Sequence, residues 1–165
     1  MTMTLAALTG GCLCGAVRYE ARPTHRDGYY CHCRMCRLAF GNTRAAFINL
    51  RKDEVTWAGT ARTLYASSRL AQRGFCGVCG TPLSFAYNDS ENIDLSVGSL
   101  DDPAAVRPTS HFAVESRIAE WHAEDGLPGE RLDENDRLSA RWRNAYGDAV
   151  VPGLAATREI GRAHV

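Results

Sequence analysis

Seven cysteines fall into three tight groups along the chain: Cys12-Leu13-Cys14, Cys31-His32-Cys33-Arg34-Met35-Cys36, and Cys76-Gly77-Val78-Cys79. The number is odd, and every spacing within a group is CxC or CxxC. Such close pairs serve metal binding or thiol redox chemistry more naturally than a long-range disulfide framework. A tetrahedral zinc site wants four ligands, with thiolates about 2.3 Å from the ion. A CxC pair on extended backbone presents both sulfurs on one face, because the strand period is two. A CxxC turn with glycines after its cysteines, here Gly77 and Gly80, lets two more sulfurs converge. Cys12, Cys14, Cys76 and Cys79 are therefore expected to close one structural site that clamps the start of the chain to a distant loop. Cys31, Cys33 and Cys36 supply three thiolates and leave a fourth position for water or a substrate sulfur, the arrangement of a catalytic zinc. Purely structural metal binding, simple reactive thiols and iron–sulfur ligation are the alternatives that spacing leaves open.

The chain of 165 residues suits one domain, and 45% apolar with 23% charged residues is a globular composition. Nineteen basic residues balance nineteen acidic ones, so general attraction to a nucleic-acid backbone is not expected. The first ten residues lack the charged start of a secretory signal, and no apolar run reaches the roughly 18 residues that suggest a membrane span. A cytoplasmic location and no membrane partner are expected.

Alternating patterns place strands at 15–21, 43–50, 54–58, 62–66, 69–75, 82–87 and 93–98. Turns are expected at Asp27-Gly28, Ala58-Gly59-Thr60 and Asn88-Asp89-Ser90. Short helices are expected near 34–39 and 101–105. A longer one at 134–146 has Leu138, Trp142 and Ala145/Tyr146 on one face, Asp133 as its cap and Gly147 after its end. The class is mainly β, with antiparallel sheets, a few short helices and a C-terminal helix. The terminal run Glu159–Val165 back-translates to a sequencing-adapter read-through, so it is read as non-native and no role is expected of His164.

Four blocks in order resemble the glutathione-dependent formaldehyde-activating enzyme family, which includes centromere protein V. They are Gly10-Gly11-Cys12-Leu13-Cys14-Gly15, the Cys31 to Arg37 run through Gly41, Gly74 to Leu83, and Val97 to Pro103. Pro108–Phe112 and the Trp121…Asp125-Gly126-Leu127-Pro128 segment extend the likeness over residues 9–129. The resemblance implies a β-tent fold, one structural zinc on Cys12, Cys14, Cys76 and Cys79, and an active site at Cys31, Cys33 and Cys36. It also implies a zinc-dependent carbon–sulfur lyase or synthase acting on glutathione adducts of the S-hydroxymethylglutathione type. A lyase for another thiol adduct, or a non-catalytic zinc-supported binding module, is the alternative. Residues 130–150 form a helical appendage that could alter the pocket or pair subunits in a homodimer, and 151–165 is a loosely ordered tail.

A thiol such as glutathione carries two carboxylates, so cationic donors are expected near the open site. Arg34 and Arg37 flank Cys36, with Arg44 and Arg73 behind them. Phe40 and Gly41 are expected to line the pocket, since glycine lets backbone approach a ligand, and Trp121 could cover it. His32 lies between two ligands and points away from the metal on extended backbone, as a packing or supporting residue. His111 is a weaker acid–base candidate, and Asn42, Thr81 and Ser116 are polar contacts suggested by position alone.

Overall fold

The computed structural model describes residues 5–147. The expected tail at 151–165, with its adapter-like end, lies outside the described residues. Among the described residues, eleven strands make two sheets. The smaller has the order β1 (Leu8–Gly11), β2 (Val17–Ala21), β5 (Val55–Gly59). The larger runs β11 (Gly129–Glu130), β10 (Arg107–Phe112), β3 (Asp27–Cys31), β4 (Ala45–Arg51), β9 (Asn92–Ser96), β8 (Pro82–Tyr87), β7 (Ala71–Phe75), β6 (Thr63–Ala66). Two α-helices join them, α1 (Arg34–Phe40) and α2 (Asp136–Tyr146), so the protein is mainly β with a C-terminal helix.

The strand period decides what each face of the large sheet does. Ile48, Leu50, Ile93, Leu95 and Ala86 turn one way and pack with Val17, Tyr19 and Ala21 of the small sheet. Ile48 and Leu95 are wholly buried there, and sealing such a side chain contributes about 1.5–3 kcal/mol. Register puts a second set on the opposite face: Tyr29 faces Phe47, Asn49 faces Asp94, Asp94 faces Phe85, and Phe85 faces Arg73. This second face carries the cavity.

Most ladders are antiparallel, but β10 pairs with both β3 and β11 in parallel. Asp27-Gly28, expected as a turn, begins β3 instead. The reason is tertiary: a Cβ on Gly28 would come within 2.7 Å of the Val106 side chain and 3.0 Å of the Phe47 carbonyl, so glycine is needed for close approach. The expected helix near 101–105 is a single 3-10 turn, Pro103–Ala105, capped by the Asp102 carboxylate. Asn135, rather than Asp133, caps α2 by accepting from the Leu138 amide at 2.8 Å. Asp133 is instead held by the Arg131 guanidinium at 2.9 Å, and a 3-10 turn at Leu132–Glu134 precedes the helix. Gly147 ends it with positive φ, as expected.

Leu138 and Trp142 of α2 are buried with Leu132 against Leu70 and Ala71, with Phe85, Tyr87 and Cys33 packed around them. The helix therefore roofs the second face of the large sheet. No helix among the described residues is long and apolar enough to cross a membrane.

Candidate metal centres and active-site cavity

The four sulfurs of Cys12, Cys14, Cys76 and Cys79 lie within 4.8 Å of one another. Cys12 Sγ stands 3.5 Å from Cys14 Sγ, and Cys14 Sγ stands 3.8 Å from Cys76 Sγ. Four thiolates around one zinc ion would sit about 3.8 Å apart, from the 2.3 Å bond and tetrahedral angles. The donor set and its dimensions thus fit a four-coordinate metal ion. Backbone geometry supports the thiolates: the Val17 amide donates to Cys12 Sγ at 3.2 Å. Thr81 lies at this site, not in the cavity. Its hydroxyl oxygen is 3.2 Å from Cys79 Sγ and accepts from the Leu13 amide at 3.0 Å. That hydroxyl, with the Thr81 and Cys14 backbones, holds the Cys79 thiol down at about 5.

The sulfurs of Cys31, Cys33 and Cys36 likewise lie within 4.8 Å of one another, and three donors leave a position open. Cys31 ends β3, Cys33 caps α1, and Cys36 lies in its first turn; the Cys36 amide donates to Cys33 Sγ at 3.3 Å. Hydrogen bonds from Cys31 and Cys33, followed by the Arg73 guanidinium, hold the Cys36 thiol well below its ordinary value. Arg73 is itself buried, with one Nη donating to Cys36 Sγ at 3.4 Å and Nη1 left without a partner.

These three cysteines line a cavity of about 540 Å³. Its floor is the second face of the large sheet, with Tyr29, Asn49, Asp94 and Arg73, and its roof includes Arg137, Leu138, Arg141 and Trp142 of α2. Nothing in the sequence singles out Asp94, which sits at a polar position between Ile93 and Leu95 of the alternation and reads as a solvent-facing acid. It is buried, and both Tyr29 Oη (3.0 Å) and Asn49 Nδ2 (2.9 Å) donate to its Oδ1. Desolvation raises its carboxyl to about 6 against the pull of those two donors.

Of the expected contacts, Arg73 lines the cavity, whereas Arg34, Arg37, Phe40, Gly41 and Trp121 are not among its lining residues. Phe40 lies behind the wall, edge-on to Phe47 at 5.2 Å. Trp121 is 73% exposed, and Gly41 is the left-handed cap of α1. Asn42 accepts from its neighbour Thr43, and Ser116 closes a 3-10 turn. Arg44 stacks over Tyr30 at 3.9 Å, on the other face of β3.

On that other face His32 meets His111, 2.8 Å away, and His111 Nε2 is 3.0 Å from Asp125. His122 sits edge-on to both imidazoles. Burial and the neighbouring His111 push the His32 imidazole down to about 4, so it stays neutral. His32 is not among the residues lining the cysteine cavity, as strand alternation requires, whereas His111 is.

The fold resembles the crystal structure of a Rhodobacter sphaeroides protein solved as a structural-genomics target: TM-score 0.52 and 23% identity, over 74% of this chain and 99% of that one. An uncharacterized lyase of Schizosaccharomyces pombe is 37% identical over 83 residues, which is 50% of this chain and 60% of that protein. The chain thus spans less than two thirds of that curated relative. The family model of the glutathione-dependent formaldehyde-activating enzyme matches residues 7–116, a stretch holding both cysteine clusters and the cavity floor. The chain belongs to the glutathione-dependent formaldehyde-activating enzyme family.

Proposed function

We propose that this protein is a zinc-dependent carbon–sulfur lyase or synthase acting on glutathione adducts of the S-hydroxymethylglutathione type. One observation carries the reading: a three-thiol cluster with an open position forms part of the wall of a 540 Å³ cavity. A binding module held together by the four-cysteine clamp has no need of that second cluster. Family membership and the lyase description of the yeast relative point the same way.

When bound at Cys31, Cys33 and Cys36, a zinc ion supplies Lewis acidity, lowering the pKa of a thiol in its open position. The chain's own groups do the rest. In the lyase direction the adduct hydroxyl gives up its proton, the carbon–oxygen double bond forms, and the carbon–sulfur bond breaks with its electron pair going to sulfur. The reverse sequence adds the thiolate to the carbonyl carbon and returns the proton to oxygen. Asp94 is assigned to that proton, since a carboxyl near 6 exchanges it readily around neutral pH. Tyr29 and Asn49 fix the carboxylate through Oδ1, and no donor among the described residues reaches Oδ2. The free Arg73 Nη1 is placed to hold an oxygen of the substrate.

Metal analysis and exchange NMR test the reading together. Two zinc ions per chain are expected, falling to one in Cys31→Ala, with exchange between glutathione and formaldehyde accelerated by wild type only. Fully loaded protein that leaves the spontaneous exchange rate unchanged removes the formaldehyde reaction. A single zinc that survives Cys31→Ala removes the catalytic site.

A further inference from the structure

The polar groups lining the cavity are unevenly spent. Its acids already have donors: Asp94 accepts from Tyr29 and Asn49, and Glu130 accepts from Asn135 Nδ2 at 3.1 Å. Arg141 is spent as well, bonded to Asp89 at 2.9 Å and stacked over Tyr87. What remains is donors. Trp142 is 8% exposed, and its indole Nε1 is buried with no acceptor. Arg73 is 8% exposed, and its Nη1 is in the same condition. Arg137 is exposed, and among the described residues no carboxylate or other acceptor is bonded to it. A buried donor without a partner is costly, so a cavity with two of them and a free cation is built for a ligand rich in acceptors.

Two of these three donors come from α2, which lies beyond the 7–116 stretch that the family model matches. The helix is held in place independently of any ligand. Leu138 and the apolar part of Trp142 pack on Leu70 and Ala71, and Asn135 caps the first turn. The Arg69 amide reaches the Tyr146 hydroxyl at 3.1 Å. Its inward polar groups are thus fixed before substrate arrives, which limits the ordering cost of binding.

We propose that α2 is the specificity element of this cavity, with Trp142 Nε1 and Arg137 holding acceptor groups of a thiol carrier that bears carboxylates. The inference rests on the function proposed above and adds the part of the substrate that the helix reads. Arg137, at the rim, takes a carboxylate. Trp142, in the interior, donates to a carbonyl or carboxylate oxygen nearer the sulfur. Catalysis at the cysteine cluster is shared with the family, while selection of the carrier belongs to this C-terminal addition.

The test is equilibrium binding of two unreactive probes, S-methylglutathione and its dimethyl ester, to zinc-loaded wild type, Arg137→Gln and Trp142→Phe. Circular dichroism and metal content check that each variant is folded. Wild type is expected to prefer the free acid by about tenfold, a charge-assisted bond's worth. Arg137→Gln, a surface change that leaves the core intact, should cut that preference to about threefold or less. Trp142→Phe keeps the apolar packing and should weaken both probes about fivefold. Equal binding of acid and ester by wild type overturns the inference, as does wild-type affinity in both variants. If wild type accelerates the formaldehyde exchange while either of those results holds, only the role of α2 is lost. Absence of both binding and exchange removes the proposed function as well.

Discussion

His32 Nε2 lies 2.8 Å from His111 Nδ1, and this bond ties the residue between two cysteines of the open cluster to the neighbouring strand. The protons follow from the partner at the far end. Asp125 accepts from His111 Nε2, so in the neutral imidazole His111 Nδ1 is the acceptor and His32 Nε2 the donor. The His111 bond holds the Asp125 carboxyl below its ordinary value. His32 also hangs on the backbone, its amide donating to the Phe112 carbonyl at 2.9 Å. Together these contacts fix the direction in which Cys31 and Cys33 present their sulfurs.

His111→Ala should therefore loosen the open cluster without touching the four-cysteine clamp. It leaves the buried His32 without its acceptor and Asp125 with only the Leu127 amide as donor, a loss of about 1–3 kcal/mol. Metal analysis is expected to show one zinc retained and the second largely lost, alongside a lower melting temperature. Full two-zinc occupancy with a lowered melting temperature would mean the pair supports only the fold.

The two clusters should also separate in stability. Cys76→Ser removes a ligand that joins the β7–β8 turn to the CxC at the chain start, more than sixty residues away, so much of the folding free energy goes with the metal. Loss of cooperative unfolding is the expected result. Cys36→Ser should keep a folded, one-zinc protein, because the α1 cluster closes only a short loop. Calorimetry with metal counting on both variants checks the contrast; equal damage from the two would contradict it.

Gly10→Ala offers a sharper probe of how the clamp is seated. Gly10 pairs with Tyr19 in register, and a Cβ there would fall 2.4 Å from the Tyr19 ring and 2.5 Å from the Ser99 carbonyl. Tyr19 cannot swing aside cheaply, since its hydroxyl bonds Ser99 Oγ at 2.8 Å and its ring leans on Trp57. Overpacking of this kind costs about 1–3 kcal/mol. Denaturant unfolding should show a midpoint lowered to match, with zinc content unchanged.

What the sequence made legible was local. Cysteine spacing predicted the pairs and the Cys31–Cys36 group because cysteines within three residues of each other need no tertiary information to converge. Joining Cys12 and Cys14 to Cys76 and Cys79 drew instead on the four donors a closed site wants. Strand alternation found β2, β4 and β8 because each has one face in a core. The cavity floor was different: Tyr29, Asp94 and Arg73 come from β3, β9 and β7, and only the strand order sets them on one face. The same cause explains the arginines. Arg34 and Arg37 are neighbours of Cys36 in sequence, yet the guanidinium that reaches its sulfur comes from Arg73, thirty-seven positions later. β10 was missed because Arg107, Pro108 and Thr109 are all exposed at an irregular stretch of the ladder, so no alternation shows.

Asp94 carries a consequence for pH. Its folded carboxyl titrates at about 6 and its unfolded one near 3.8. Around it stand Tyr29 on β3, Asn49 on β4, Tyr87 on β8, Arg73 on β7 and Cys36 on α1, of which Cys36 raises the value and Arg73 lowers it. A raised carboxyl means the folded state binds the proton more tightly than the unfolded one. Folding is thus unpenalised below about 3.8, loses stability as pH rises toward 6, and bears the full cost above it. The cost is on the order of 2–3 kcal/mol for a shift of about two units. Asp94→Asn keeps an acceptor for Tyr29 and Asn49 without the charge, so it should gain on wild type at pH 7.5. That advantage should fall to about half by pH 5 and vanish only below about 3.8. Comparing the two proteins at each pH cancels metal loss, which is common to both, and chemical denaturation supplies the free energies. A difference that stays constant across that range would place Asp94's proton affinity at its ordinary value. It would also take away the reason for assigning it the substrate proton.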